Sequence, residues 1–111
     1  MYKDMKEDFR TWLVTDKGLS IKVSRDIQCR CKRLDSEILE SIDFAVSSPE
    51  FYLQALKDIR SYAIANNRNK SSQYAMTSTL RAALRKYCEY CNPESFSLYP
   101  NGYSLTKEVV S

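Results

Sequence analysis

"KGLSIKVSRDIQCRCKRL", Lys17–Leu34, packs six bases and one acid around an apolar repeat. Val23, Ile27, Cys31 and Leu34 step by four, four and three, which is the spacing of one helix face. Lys22, Arg25, Cys29 or Arg30, and Arg33 fall largely on the opposite side. Ser20 stands where an N-cap is needed, its hydroxyl able to accept a free amide of the first turn. Gly18 follows Asp16-Lys17 and suits a turn, because glycine takes positive φ without steric cost. The stretch therefore predicts an amphipathic helix with a cationic outside.

Outward from it the same period recurs. Upstream, Met5, Phe9, Trp12 and Leu13 make the stripe of a first helix that stops by Thr15. Downstream, Asp35 or Ser36 predicts the cap of a short third helix with Ile38, Leu39 and Ile42 as its apolar members. "SSPEF", residues 47–51, is a strong helix start: Ser48 caps, Pro49 fills the first position where no amide is required, and Glu50 suits the dipole. That fourth helix turns Tyr52, Leu56, Ile59 and Ala63 inward and frays in the polar run between Asn66 and Ser72. A fifth helix is predicted from about Ser72 to Tyr90, with Met76, Leu80, Leu84 and Tyr87 buried, ended by Pro93 after Asn92. Tyr52, Tyr62, Tyr74 and Tyr87 all fall at or near core positions. The Pro-Asn-Gly signal at residues 100–102 predicts a small hairpin or an arm folded back on the bundle, with Tyr99 and Tyr103 large enough to bury.

The expected fold is all-α, four to five helices over residues 1–93, with residues 94–111 as a C-terminal appendage. Two glycines in 111 residues are too few for a β-sandwich or barrel. A hydrophobic fraction of 43% and a charged fraction of 28% are those of a globular chain with one core. No apolar run reaches membrane-span length and the first residues do not read as a signal peptide, so the expected place is the cytoplasm, with no membrane partner. There the four cysteines are expected as reduced thiols.

Catalysis lacks its usual parts. There is no histidine, no glycine-rich phosphate loop, and acid pairs such as Glu37/Glu40 and Asp4/Asp8 read as solvated helix faces. No catalytic residue and no cofactor is expected. Cys29-x-Cys31 and Cys88-x-x-Cys91 supply four thiols, the number a zinc site takes. Cys29 and Cys31 point to different sides of a helix, however, and neither pair sits on a glycine turn, so no metal is expected.

Charge carries more. The net charge is +3, but residues 35–58 hold Asp35, Glu37, Glu40, Asp43, Glu50 and Asp58 against Lys57. Residues 59–86 hold Arg60, Arg68, Lys70, Arg81, Arg85 and Lys86 with no acid. Alternating blocks predict a basic side and an acidic side. Lys22, Arg25, Arg30 and Arg33 on the second helix, with Arg81, Arg85 and Lys86 on the fifth, form one surface if those helices pack side by side. Ser71, Ser72, Gln73, Thr77 and Ser78 add short polar donors for phosphates or base edges. Solubilising charge is the bland reading of the same residues.

"FRTWLVTDKGLSIKVSRDIQCRCKRL" and "TSTLRAALRKYCEYCNP" resemble the opening and closing helices of the N-terminal core-binding domain of tyrosine recombinases and phage integrases. The resemblance covers residues 5–93. It implies a SAM-like bundle that clamps duplex DNA, with Lys22, Arg25, Arg30 and Arg33 on one DNA-facing helix and Arg81 and Arg85 on the other. The chain departs from that family by lacking the catalytic domain, its tyrosine nucleophile and the arginine and histidine partners. Members also place a tyrosine near Ile27 or Gln28. The expectation is a non-enzymatic DNA-binding domain, accessory to a recombinase or mobile element. The alternative is a protein-interaction or homodimer module using the acidic 35–58 face and the C-terminal tail.

Overall fold

A computed structural model describes residues 2–100. They form five α-helices: α1 (Tyr2–Thr15), α2 (Ile21–Arg33), α3 (Ile42–Ala45), α4 (Pro49–Asn66) and α5 (Lys70–Cys91). A π-helical turn (Leu34–Ile38) extends α2, and a 3₁₀ turn (Phe96–Leu98) follows α5. Among the described residues there is no strand. The chain is an all-α bundle.

The ends follow from local chemistry. Ser20 Oγ accepts from Val23 N and Ser48 Oγ from Phe51 N, each in extended backbone. Pro49 opens α4. Gly18, at φ +68°, breaks α1 from α2. The loop between α4 and α5 is shorter than the polar run predicts. Asn69 accepts from Ser72 N, so α5 begins at Lys70.

α4 and α5 pack as an antiparallel hairpin, α1 lies on α2, and α2 lies on α5. Phe9, Leu13, Cys31, Leu34, Ile42, Leu56, Ile59, Leu84 and Tyr87 are fully buried at the centre. The Cys31 thiol donates to Ala83 O at 3.5 Å, tying α2 to α5. Tyr2, Phe9 and Tyr87 meet edge to face, with centroids 5.2–6.4 Å apart, geometry that suits the ring quadrupoles. Asp43 accepts from the Tyr87 hydroxyl at 2.5 Å and from Tyr2 N at 2.7 Å, joining α1, α3 and α5 through one carboxylate.

Three expectations need correction. Ile38, Leu39 and Ile42 do not share one helix. Leu39 N reaches back to Leu34 O, closing a wide π turn, and the chain is extended at Leu39 before Ser41 caps α3. Asp35 still caps, but for the later helix: its carboxylate accepts from Ile42 N at 2.9 Å. Val23 is exposed rather than buried. The first turn of α2 is uncovered, and the buried face starts at Ser24. Tyr74 is exposed as well, its ring lying 4.4 Å from the Arg60 guanidinium.

Residues 94–100 fold back onto the bundle. Tyr99 is buried, its hydroxyl donates to Val46 O at 2.7 Å, and its ring meets Tyr52 edge-on. Asn92 donates to the same Val46 carbonyl. Tyr103 and most of the expected 100–102 turn lie outside the described residues.

Candidate nucleic-acid interface

Burial of Ser24, Ile27 and Cys31 fixes how α2 is rotated. It leaves Lys22, Arg25, Cys29, Lys32 and Arg33 exposed along the opposite side, with Arg30 half-buried at its edge. Lys22, Arg25, Arg30 and Lys32 make no ion pair with any described residue. Arg33 makes one, an exposed i, i+4 contact with Glu37 at 3.4 Å, a kind that contributes little. Lys17, in the same basic stretch, is withdrawn from the face. Its ammonium meets Glu89 at 2.6 Å and stands 5.6 Å from the Trp12 ring centre, pinning the α1–α2 turn to α5.

The expected surface on α5 is not built. Arg81 is only 7% exposed, and its Nη2 and Nε both donate to Leu56 O, at 2.7 and 3.2 Å. Burial, and then the like charge of Arg60, lower its pKa. Arg81 lies on the same stripe as Thr77, Leu84 and Cys88, all buried, so it faces α4 and not solvent. Arg85 is half-buried. It lies over Tyr52 and Phe96, at 5.8 and 5.2 Å from the ring centres, and donates to Tyr99 O. These two arginines hold α4, α5 and the chain after α5 together, and they do not join the α2 face. Arg60, from the same basic block, is 8% exposed and donates to Thr77 Oγ1.

The short polar donors divide likewise. Thr77 is buried and Gln73 is bonded to Asn67 O, while Ser71, Ser72 and Ser78 stay exposed. Lys32 belongs to the α2 face although it is not among the expected contacts. Its spacing of seven from Arg25 is the signal that places it there.

The thiols do not converge on the face. Cys29 is exposed within it, and Cys31 is buried on the other side of α2. Burial pushes the Cys31 thiol far up and the Cys88 thiol to about 11, which holds both protonated at neutral pH. Among the described residues no three His, Cys, Asp or Glu side chains are grouped to hold a metal. No described helix is long and apolar enough to cross a membrane.

No protein-family model, no curated protein and no solved structure was found to match this chain.

Proposed function

We propose that this chain is a DNA-binding domain that contacts duplex phosphates through the outer face of α2, with Lys22, Arg25, Arg30, Lys32 and Arg33 as the contacts. The observation that carries the reading is that four bases of one helix side, Lys22, Arg25, Arg30 and Lys32, pair with no described acid. Helical charges retained only for solubility are commonly laced with acids at i, i+4. Here Asp26 is the one acid of α2, and it pairs with none of them. Arg81 and Arg85 are left out of the interface because their guanidinium groups serve the interior. The resemblance of the sequence over residues 5–93 to a recombinase core-binding domain supports this reading, and a role accessory to a recombinase or mobile element belongs to the same proposal.

Phosphate contact releases counterions, so affinity falls with salt at a log–log slope of about −0.9 per contact. Five contacts predict a slope of about −4 to −5. Anisotropy of a labelled random duplex titrated at several salt concentrations measures it directly. Lys22→Glu with Arg25→Glu is expected to abolish binding while the melting curve stays unchanged. Lys70→Glu, an exposed change on another helix, leaves the slope as it was. A duplex that binds equally well to the α2 double variant refutes the assignment.

A further inference from the structure

A second surface of opposite character lies on the other side of the charge pattern. Phe44 and Phe51 are 53% and 43% exposed, with rings stacked at 4.3 Å between centroids. They line a groove of about 210 Å³ with Leu39 and Ala55 at its floor and Glu40 and Asp58 at its rim. An adjoining hollow of about 420 Å³ shares Glu40 and Phe44 and adds Asp43. No lysine or arginine lines either. Glu40 is exposed and pairs with no described base, and among the described residues Asp58 accepts only from its helical neighbour Gln54.

The first turn of α2 is the complement of this groove in both properties. Ile21 is 65% and Val23 43% exposed. Lys22 lies between them in sequence and Arg25 follows within one turn, neither paired with a described acid. Large apolar side chains left in water at both places represent free energy that burial would recover. No other described residue covers either patch.

We propose that the acidic aromatic groove of one molecule receives the first turn of α2 of a second copy, so that the chain associates head to tail. Ile21 covers Phe44 and Phe51 while Lys22 and Arg25, on the same side of the helix as Ile21, meet Glu40 and Asp58. The two patches share no residue, which makes the contact heterologous: each copy keeps one unused groove and one unused helix start. Opposite charges set the register and make the association sensitive to salt. This inference does not rest on DNA binding and is tested without it.

Sedimentation of the full chain across a concentration series, at ~0.05 M and ~0.5 M salt, gives the first readout. The mass is expected to rise with concentration at low salt and to return to the monomer at high salt. Two variants give the decisive one. Ile21→Ser with Val23→Ser removes the helix-start contact and leaves every base in place. Glu40→Lys with Asp58→Lys reverses the groove rim at exposed or half-exposed positions. Each alone is expected to remain a monomer, and their equimolar mixture is expected to reach twice the monomer mass and stop, because one intact groove and one intact helix start remain. A wild type that stays monomeric overturns the proposal. So does association of either variant alone, or a mixture that stays monomeric. At protein concentrations where wild type is monomeric, duplex binding of the Ile21/Val23 variant is expected to match wild type because it keeps every base of α2, which separates this proposal from the α2–DNA reading.

Discussion

α2 and α5 carry the same kind of writing and meet opposite fates. Each runs through a block rich in lysine and arginine, and each has an apolar stripe at helical spacing. On α2 the bases oppose the stripe, so burying Ile27 and Cys31 pushes Lys22, Arg25 and Arg33 into solvent. On α5, Arg81 lies within the stripe itself, between Thr77 and Cys88, and is carried inward with it. A long aliphatic stem and a forked donor head allow this: the stem packs among apolar neighbours while the head reaches a carbonyl of the facing helix. Density of positive charge in sequence therefore says less than its phase against the core.

The largest effect that tests the contrast comes from reversing a charge on each helix. Arg81→Glu buries a carboxylate opposite the Leu56 carbonyl and is expected to cost about 3–5 kcal/mol, enough to unfold much of the population. Arg25→Glu, on the exposed side, should stay within about 0.5 kcal/mol. Urea unfolding of the two variants measures both. Equal stabilities would erase the distinction between the faces.

Alkaline pH acts on the same α4–α5 side. Burial pushes the Tyr52 hydroxyl up to about 12, and burial with the Asp43 hydrogen bond raises Tyr87 further. A raised folded-state pKa means the neutral form is the one the fold holds. Stability is thus full below pH ~10, the ordinary tyrosine value, and is lost as pH rises towards 12. Tyr52 alone should remove about 3 kcal/mol across that window. Tyr52→Phe is expected to flatten the loss in this range, as followed by circular dichroism against pH. An unchanged pH profile would show that Tyr52 is not the group that titrates.

Smaller effects sharpen the edges. Tyr99→Phe removes the hydroxyl bond that anchors residues 94–100 on Val46 O and should cost about 1 kcal/mol. Gly18→Ala is expected to cost about 1 kcal/mol through its positive φ alone. Nothing lies within 4 Å of the added Cβ, so a much larger loss in a thermal melt would mean the α1–α2 turn is held by more than backbone geometry.

Much of this was readable before the structure. The caps at Ser20 and Ser48, the Pro49 start, the Gly18 turn and the burial of Phe9, Leu13, Tyr52, Leu56, Ile59, Ala63, Leu80, Leu84 and Tyr87 rest on contacts within one or two helical turns. The segment from Leu34 to Ser41 was not readable, because Asp35 caps α3 through Ile42 N, seven residues away, after a π turn that helical periodicity does not encode. Val23 followed the right period but lies in a first turn that no neighbouring helix covers. For the candidate interface, the phase of Lys22, Arg25, Arg30 and Arg33 against Ile27 and Cys31 was legible, and Arg81 and Arg85 were misplaced. An arginine beside a leucine reads as solvent-facing until a partner carbonyl is known.

By itself the sequence determined the four long helices, the caps at Ser20 and Ser48 and which side of α2 is cationic, because these depend on local hydrogen bonding and on apolar residues repeating every three or four positions. Only the tertiary structure decided which cations remain available. Whether a guanidinium meets water, a ring or a buried carbonyl depends on the residue that another helix brings opposite it, and that residue can be 25 positions away, as Leu56 is from Arg81.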